Sequence, residues 1–161
     1  MTEAVSAYSV RRGSFADADT IASFNAAMAM ESEGRNLDAL RLRKGVQMLL
    51  EDKSRGEYWV AEERATGCLA GQLMLTREWS DWRAGDFWWI QSVYVSPKNR
   101  GKGVFRQLME AIRQQARQSE GCVGLRLYVE RDNTSAQEVY RKLGLSETGY
   151  VVMEDDWSRG T

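Results

Sequence analysis

The stretch that decides the fold covers residues 90–105. It reads Ile90-Gln91-Ser92-Val93-Tyr94-Val95-Ser96-Pro97-Lys98-Asn99-Arg100-Gly101-Lys102-Gly103-Val104-Phe105. An apolar strand runs into a short basic turn with two glycines, and the turn opens directly into a helix. At such a helix start, unpaired backbone N–H groups and the positive end of the helix dipole point the same way. The stretch therefore predicts a phosphate-binding turn between a strand and a helix.

Basic side chains crowd this turn in a chain whose formal net charge is −1. They are Lys98, Arg100, Lys102 and Arg106. Cations at a helix N-terminus oppose the dipole by roughly a few tenths of a kcal/mol each, unless an anion lies there. The spacing matches neither a Walker A loop nor a dinucleotide-binding fingerprint, in which a third glycine would replace Arg106. The alternative interpretation is a purely structural turn with a solvated helix start.

The size and composition of the chain predict a single domain over residues 1–161. The 161 residues are enough for a substantial core, and 43% of them are hydrophobic. The net charge is close to zero, and no apolar run approaches the roughly 20 residues of a transmembrane helix. We therefore expect no nucleic-acid or membrane partner. The N-terminus lacks the order of a signal peptide, so the expected location is the cytoplasm.

Histidine is absent from the sequence. This excludes Ser–His and Cys–His catalysis and most zinc sites, so we expect no metal. The two cysteines, Cys68 and Cys122, fall in predicted strands and form no CxxC pair. We expect both to be buried, reduced thiols.

Hydrophobic periodicity predicts a succession of strands and helices. The predicted strands cover 5–11, 58–62, 69–76, 87–95, 122–130 and 148–154. The predicted helices cover 14–31, a second segment capped by Asp38, 103–118, and 133–143 followed by Gly144. A polar, tryptophan-rich loop is expected from Glu78 to Asp86. This order predicts an α/β fold with a mixed sheet, in which the last two helices are crossovers.

Two motifs, in this order and at this spacing, are typical of one enzyme family. Residues 98–103 read Lys98-Asn99-Arg100-Gly101-Lys102-Gly103, close to a loop of the form Gln/Arg-x-x-Gly-x-Gly/Ala. The pattern Asn-x-x-Ala-x-x-x-Tyr-x-x-x-Gly is matched by Asn133, Ala136, Tyr140 and Gly144. The chain thus resembles, over nearly its whole length, the GCN5-related N-acetyltransferase (GNAT) superfamily. The resemblance implies a mostly antiparallel, twisted sheet of about six to seven strands flanked by about four helices.

The resemblance implies that acetyl-CoA is the cosubstrate and that its pyrophosphate lies on main-chain N–H groups of the loop. Those groups belong to Arg100, Gly101, Lys102, Gly103, Val104 and Phe105. The pantetheine arm would lie beside Val93, Tyr94 and Val95, where the family's sheet opens toward the strand predicted at 122–130. The sequence departs from the family pattern at Lys98, where Gln or Arg is usual, and at Phe105, where many members have a small residue.

Acetyl transfer from a thioester needs a neutral amine, a donor to the oxyanion and a proton for the departing thiolate. By resemblance, the Val93 N–H is the oxyanion donor and Tyr140 is the general acid, while Asn133 makes a polar contact near the cofactor. Position 140 also lies on the apolar stripe of its helix, where an aromatic residue usually packs into the core. Asn133 can equally serve as a helix cap.

The sequence does not decide which group is the general base. Gln91 occupies the position at which many family members carry Glu on the central strand, and an amide cannot take a proton at neutral pH. Glu31, Glu33 or an ordered water chain are the alternatives. A base is dispensable if the amine arrives partly neutral.

Aromatic and acidic residues predict an acceptor site for an ammonium group, through ion pairing and cation–π contact. The predicted substrate residues are Trp79 and Trp89, together with Met28, Glu31 and Gln91, which the resemblance places on the acceptor side. An alternative role of the tryptophans is packing across a sheet or a subunit interface, which would favour a homodimer.

The sequence therefore predicts an acetyl-CoA-dependent N-acetyltransferase that acts by direct transfer in a ternary complex. The expected acceptor is a primary amine on a small molecule. Within this class, a protein N-terminus or a lysine is the alternative acceptor. A non-catalytic CoA-binding or sensing domain and a structural dimer module are the alternatives from other classes.

Overall fold

The structure is a computed structural model that describes residues 6–160. Its helices and strands are β1 Tyr8–Arg12, α1 Ala18–Glu33, α2 Ala39–Glu51, β2 Glu57–Glu63, β3 Leu69–Ser80, β4 Gly85–Val95, α3 Val104–Gln118, β5 Cys122–Leu127 and α4 Thr134–Lys142. The chain forms two compact units, which are divided between Tyr128 and Val129. The first unit contains the whole sheet, and the second contains α4.

Within residues 6–160, the sheet has five strands in the order β1-β2-β3-β4-β5. Each strand is antiparallel to its neighbour except the last pair, in which β4 and β5 are parallel. Parallel neighbours need a crossover, and α3 supplies it. The predicted α/β class, the mixed and mostly antiparallel sheet and the four helices are confirmed, with fewer strands than expected.

Helices cover both faces of the sheet. On one face, α1 and α2 form a core with β2 in which Ile21, Val46 and Val60 are almost completely buried. On the other face, α3 buries Leu108 and Ile112 and contacts strands β1 to β5. None of the helices within residues 6–160 is long and apolar enough to cross a membrane.

A close approach at Gly71 fixes where α3 begins. A Cβ atom at this position would lie 2.9 Å from the Tyr94 carbonyl oxygen and 3.0 Å from Val104 Cγ1. Real Cβ contacts are almost never so short, so a side chain here would push β4 and α3 apart. Glycine at position 71 therefore lets the first turn of α3 pack directly beside the end of β4.

The helix ends agree closely with the sequence. The Asp38 carboxylate accepts a hydrogen bond from the Arg41 N–H (2.7 Å) and caps α2, as predicted. A short 3₁₀ turn, Phe15–Asp17, precedes α1, so the predicted helix at 14–31 begins later than expected. The Asp17 carboxylate accepts from the Ser14 N–H (2.8 Å) at this turn.

The predicted loop from Glu78 to Asp86 is wrong. Both ends of this segment belong to strands, since Glu78 pairs with Phe87 and Trp79 with Asp86 in a long β3–β4 hairpin. Only a 3₁₀ turn, Asp81–Arg83, and Ala84 at φ 49° separate the two strands. Cross-strand pairing can hold polar residues in a strand when one face is open to water, so polarity alone misplaced the loop.

Two predicted strands also need correction. The strand expected at 122–130 ends at Leu127. Residues 148–154 form no strand, and Tyr150 to Met153 are exposed. Their alternating apolar pattern favours a strand, but a strand also needs a hydrogen-bonded neighbour, and none pairs with it within residues 6–160. Val5, the predicted start of the first strand, lies outside the described residues.

The cysteines differ from the expected burial. Both are free thiols. Cys122 is partly buried, whereas Cys68 is exposed in the turn before β3, so its predicted burial is wrong.

Candidate active site

A β-bulge interrupts β4 where the site is expected. Gln72 pairs with Tyr94 and Met74 pairs with Gln91, so Ser92 and Val93 together oppose the single residue Leu73. Ser92 adopts a left-handed conformation (φ 50°), which is uncommon for a residue other than glycine. A bulge leaves one residue without a ladder partner and redirects the strand. The sequence did not predict this bulge.

A buried polar network holds the bulge. Gln72, which is fully buried, donates to the Asn25 Oδ1 atom (2.7 Å) and at longer range to the Ser92 carbonyl (3.4 Å). Asn25 in turn donates to the Tyr58 hydroxyl (3.2 Å). The network therefore links the bulge to α1 and β2. Within residues 6–160, the Gln72 Oε1 atom is the one buried side-chain oxygen or nitrogen without a hydrogen-bond partner.

The sheet opens beside the bulge. The parallel pairing of β4 with β5 runs from Asp86 to Ile90 and then stops, although β4 continues to Val95. From Gln91 onward, β4 has β3 on one side and no strand on the other within the described chain. The opening between these two strands, implied by the resemblance, is therefore present, and it leaves a strand edge available to an extended ligand.

The glycine loop after β4 presents main-chain N–H groups. Gly101 and Gly103 have positive φ angles of 73° and 79°, which favour glycine. Within residues 6–160, no hydrogen bond uses the N–H groups of Gly101, Lys102, Gly103 or Val104. A Cβ at Gly101 would meet nothing within 4 Å, so the loop is open on that side. These features fit a diphosphate group such as that of coenzyme A.

Asn99 anchors the loop through buried hydrogen bonds. It is 3% exposed, accepts a hydrogen bond from the Tyr8 hydroxyl (3.1 Å) and donates to the Ser96 Oγ atom (2.8 Å). Lys98 and Lys102, which flank it, are exposed and can turn toward an anion. The loop is thus held by a buried side chain while its two lysines are exposed.

A pocket of about 350 Å³ lies between the C-terminal part of α1 and the end of β4. Its lining residues are Met28, Glu31, Ser32, Val93, Tyr94, Val95 and Arg100. Predicted cofactor residues and predicted substrate residues thus share one cavity. Ser32 is the member that the sequence did not single out.

Glu31 is held by two partners in this pocket. Arg100 donates through Nη2 to Glu31 Oε2 (2.6 Å), and the Tyr94 hydroxyl donates to Glu31 Oε1 (2.9 Å). Arg100 also donates through Nε to the Val95 carbonyl (3.0 Å). The Arg100 guanidinium and, after it, the Tyr94 hydroxyl hold the pKa of Glu31 below its ordinary value. Glu31 is therefore ionised at neutral pH and is a weak base.

Gln91 and Trp89 face the same side of the sheet as Thr76 and Glu78. Gln91 donates to the Thr76 Oγ1 atom (2.6 Å), which fixes its amide. The Trp89 indole N–H donates to the Glu78 carboxylate, which also pairs with Arg126 (3.0 Å). The Trp89 hydrogen bond is the main cause of a lowered pKa of Glu78. These contacts give this face of β4 a fixed polar and aromatic surface.

Two predicted candidates lie apart from the pocket. Trp79 is 64% exposed and pairs with Asp86, which is about 20 Å from Val93 along β4. Glu33 is exposed, pairs with Arg35 (3.2 Å) and does not line the pocket. The structure therefore brings neither side chain together with the glycine loop.

The second unit contains Asn133 and Tyr140. The Asn133 side chain accepts a hydrogen bond from the Ala136 N–H (3.1 Å) and caps α4, so the helix-cap role is confirmed. Tyr140 is partly buried on α4, and burial raises the pKa of its phenol above the ordinary value of 10.0. The phenol stays protonated at neutral pH, as a proton donor must. Its catalytic role stays a prediction.

Comparison with known proteins decides the family. The sequence profile of the acetyltransferase (GNAT) family matches residues 24–145, which is more than half of the chain and includes both motifs. The chain belongs to the GNAT family. GNAT proteins are generally acetyltransferases. Among curated proteins, none matches the chain significantly in sequence.

Solved structures share the GNAT fold. A possible acetyltransferase from Clostridium difficile 630 has a TM-score of 0.86 and 42% identity, with 92% of this chain and 97% of that chain covered. A ribosomal-protein-alanine N-acetyltransferase from Brucella melitensis biovar Abortus 2308 has a TM-score of 0.72 and 19% identity, with coverage of 92% and 100%. A GCN5-related N-acetyltransferase from Ralstonia eutropha JMP134 has a TM-score of 0.72 and 22% identity, with coverage of 92% and 98%. At such low identity, the last two show the fold alone.

Several residues that shape this GNAT site were missed by sequence reasoning. Asn25 and Gln72 carry a detectable signal, because each is a polar residue in an otherwise apolar pattern, on a helix stripe and in a strand. A polar residue in such a place needs a buried partner. The turning of Arg100 toward Glu31 has no local signal, since the two are 69 positions apart.

Proposed function

We propose that this GNAT protein transfers an acetyl group from acetyl-CoA to a primary amine on a small molecule, by direct transfer in a ternary complex. The observation that carries the proposal is one open pocket that is lined both by Val93 of the bulge and by Arg100, the residue before Gly101. Its wall runs from Val93 at the bulge to Arg100 at the start of the glycine loop. A diphosphate on the loop and a reacting group at the bulge would thus be reached by one extended ligand.

Coenzyme A would be held by this wall together with the glycine loop that follows Arg100. The diphosphate would rest on the N–H groups of Gly101 to Val104, and the pantetheine arm along the open edge of β4 from Val93 to Val95. When bound, acetyl-CoA supplies an acetyl group activated as a thioester. The remaining steps belong to the protein and the amine.

Val93 is the proposed oxyanion donor. Val93 lies at the bulge with Ser92, opposite the single residue Leu73. Its N–H is the main-chain donor that we assign to the negative charge developing on a carbonyl oxygen during acyl transfer. The buried Gln72 side chain connects this part of β4 to Asn25 on α1 by hydrogen bonds. A preorganised donor of this kind is typically worth about 3 kcal/mol of barrier lowering.

Few side chains of this site are suited to donate or accept the protons of the reaction. Tyr140 is the proposed proton donor to the leaving thiolate, on the strength of the motif, and its phenol is protonated at neutral pH because burial raises its pKa. Gln91 cannot act as a base, and Glu31 is a weak one because Arg100 and Tyr94 lower its pKa. We therefore infer that the bound ammonium loses its proton to solvent before the neutral amine attacks the thioester.

A small-molecule acceptor suits the pocket. The pocket has a volume of about 350 Å³, and Met28 and Glu31, two of the predicted substrate residues, line it. The cation–π and ion-pairing surface around Trp89 lies further along β4. A protein N-terminus or a lysine is the alternative acceptor. A cytoplasmic location and a homodimer stay predictions.

The test combines binding with turnover. Calorimetric titration of the protein with acetyl-CoA should give a saturable Kd, and the complex should raise the melting temperature by mass action. Release of free thiol is then followed with a panel of amino acids, polyamines, aminoglycosides and short peptides. Fast release with a small amine and none with peptides supports the proposal. Peptide-only turnover would show a protein acceptor instead.

A non-catalytic CoA sensor is the second candidate, and Gln91 favours it. An amide stands where a carboxylate base is common, and Thr76 holds it in place. Saturable binding of acetyl-CoA without thiol release on any amine would support this alternative. An absence of binding would exclude both functions.

A further inference from the structure

Arg100 comes directly before the glycine loop, but its side chain is bonded to α1 and β4. Its guanidinium contacts Glu31 on α1 (2.6 Å) and the Val95 carbonyl on β4 (3.0 Å). While it makes these contacts, the guanidinium cannot donate all of its N–H groups to a diphosphate bound at Gly101 and Gly103. The ion pair also blocks the one carboxylate in the wall of the pocket.

This ion pair is easily exchanged. The side chains of Arg100 and Glu31 are 48% and 45% exposed, and pairs exposed to this extent contribute only about 0–1 kcal/mol. A diphosphate offers more negative charge than one carboxylate and accepts the two parallel N–H bonds of a guanidinium. Arg100 would thus gain more from the diphosphate than it loses by leaving Glu31.

We propose that Arg100 exchanges Glu31 for the diphosphate when coenzyme A binds, and that the released Glu31 then binds the ammonium group of the acceptor. The cofactor therefore binds first and creates the anionic part of the acceptor site. Glu31 stays paired with a cation throughout, because the ammonium of the acceptor takes the place of the Arg100 guanidinium. This inference rests on the proposed function, since it needs coenzyme A at the glycine loop.

The exchange predicts opposite effects on the two ligands. Replacing Glu31 by Gln removes the competitor for Arg100, so coenzyme A should bind more tightly. The acceptor loses its anionic partner and should bind more weakly. If Glu31 only stabilised the conformation of the loop, its loss would instead weaken the binding of coenzyme A.

The first experiment measures binding without turnover. The Kd of coenzyme A and of pantetheine, which lacks the diphosphate, is determined by calorimetry for wild type, Glu31→Gln and the control Glu33→Gln. Glu31→Gln should lower the Kd of coenzyme A about three- to fivefold and leave that of pantetheine unchanged. Glu33→Gln removes the same charge two residues away and should change neither. An unchanged or raised Kd of coenzyme A in Glu31→Gln overturns the exchange.

A double-mutant cycle separates exchange from a general charge effect. In an Arg100→Gln background, Glu31→Gln should no longer change the Kd of coenzyme A. A similar tightening with and without Arg100 would overturn the exchange. If wild type does not bind coenzyme A at all, the proposed function fails with it. If it binds but the cycle shows no coupling, only the exchange fails.

The acceptor half is tested with the amine that gives the fastest thiol release in the panel. At saturating acetyl-CoA, Glu31→Gln should raise the KM of this amine at least about fivefold and change kcat less, since an ion pair with a bound ammonium is lost. Melting curves check that the variant is folded. An unchanged KM overturns the acceptor role of Glu31.

Discussion

Gln72 on β3 donates a hydrogen bond to Asn25 on α1 across a distance of 2.7 Å, and both side chains are buried. The same Gln72 amide approaches the Ser92 carbonyl (3.4 Å) at the β4 bulge. One side chain thus ties a helix, a central strand and a strained residue together. The geometry of the proposed oxyanion donor, Val93, depends on this tie.

Gln72→Leu should lower both stability and turnover. It leaves the buried Asn25 Oδ1 without its donor, which typically costs about 1–3 kcal/mol, and it frees the bulge to relax. Urea denaturation should show the loss in the free energy of unfolding, and kcat should fall more than the acetyl-CoA Kd changes. The control is Met74→Leu, a volume-conserving change on the same face of β3. Equal stability of Gln72→Leu and wild type would contradict the network.

Gly103→Val should weaken the binding of coenzyme A. Valine is strained at a φ of 79°, and its branched side chain would crowd the loop amides. Gly67→Val is the matched control, because Gly67 has a similar φ of 69°, has nothing within 4 Å of its Cβ position and lies in the β2–β3 turn. Both variants should melt at lower temperature, but only Gly103→Val should raise the Kd of coenzyme A, by about tenfold or more. Equal Kd values for the two variants would contradict the role of the loop.

Asp17→Asn should destabilise the protein in a pH-dependent way. Burial tends to raise the pKa of Asp17, but hydrogen bonds from Arg11 and Ser14 outweigh it, so the pKa lies below the ordinary 3.8. A depressed folded-state pKa gives stability above the unfolded value, and this stability is lost as the pH falls through the folded value. The gap to wild type should be roughly 1–3 kcal/mol at pH 7 and should close below about pH 4.

Chemical denaturation at pH 7, 5 and 3 measures this gap. Asp19→Asn is the control, because Asp19 is exposed and pairs with Arg43 on the surface (2.9 Å). Its effect should be small and should shrink with added salt. A gap for Asp17→Asn that stays constant with pH would show that hydrogen bonding of the charged form is not the cause.

The parts of the fold that local rules govern were predictable. The Asp38 cap, the α3 stripe through Leu108 and Ile112 and the glycine loop each depend on residues close together in sequence. Such signals survive folding because they act within one element. The family motifs supplied the opening of the sheet beside Val93, which periodicity alone could not.

The parts that depend on distant residues were not predictable. The Ser92 bulge arises where β3 and β4 contribute unequal numbers of residues, and no local sequence rule counts both strands. The partner of Glu31 is set by how α1 packs near the end of β4. The expected strand at 148–154 shows the same limit, because its pattern is correct for a strand but pairing requires a neighbour.

Tyr140→Phe should lower kcat by about 10²-fold or more and leave the Kd of coenzyme A within about twofold, because only a proton donor is removed. Burial raises the pKa of Tyr140, so the wild-type rate should show no loss from this group below about pH 10. The exposed Tyr150 provides the matched control, Tyr150→Phe, which should leave kcat unchanged. Wild-type turnover in Tyr140→Phe at neutral pH would remove the acid role.

Gln91→Glu should raise kcat/KM at neutral pH if the amine reacts beside the bulge. The new carboxylate would lie on the Trp89 side of β4, where Thr76 can donate to it as it now accepts from Gln91, and it could take the proton that solvent takes in wild type. The rate should then depend less steeply on pH between about 6 and 8, because the bound ammonium can lose its proton to the new carboxylate. Gln91→Met, which has a similar size but no base, should show no gain. Equal rates and pH profiles for Gln91→Glu, Gln91→Met and wild type would mean that the amine does not come close to this side chain.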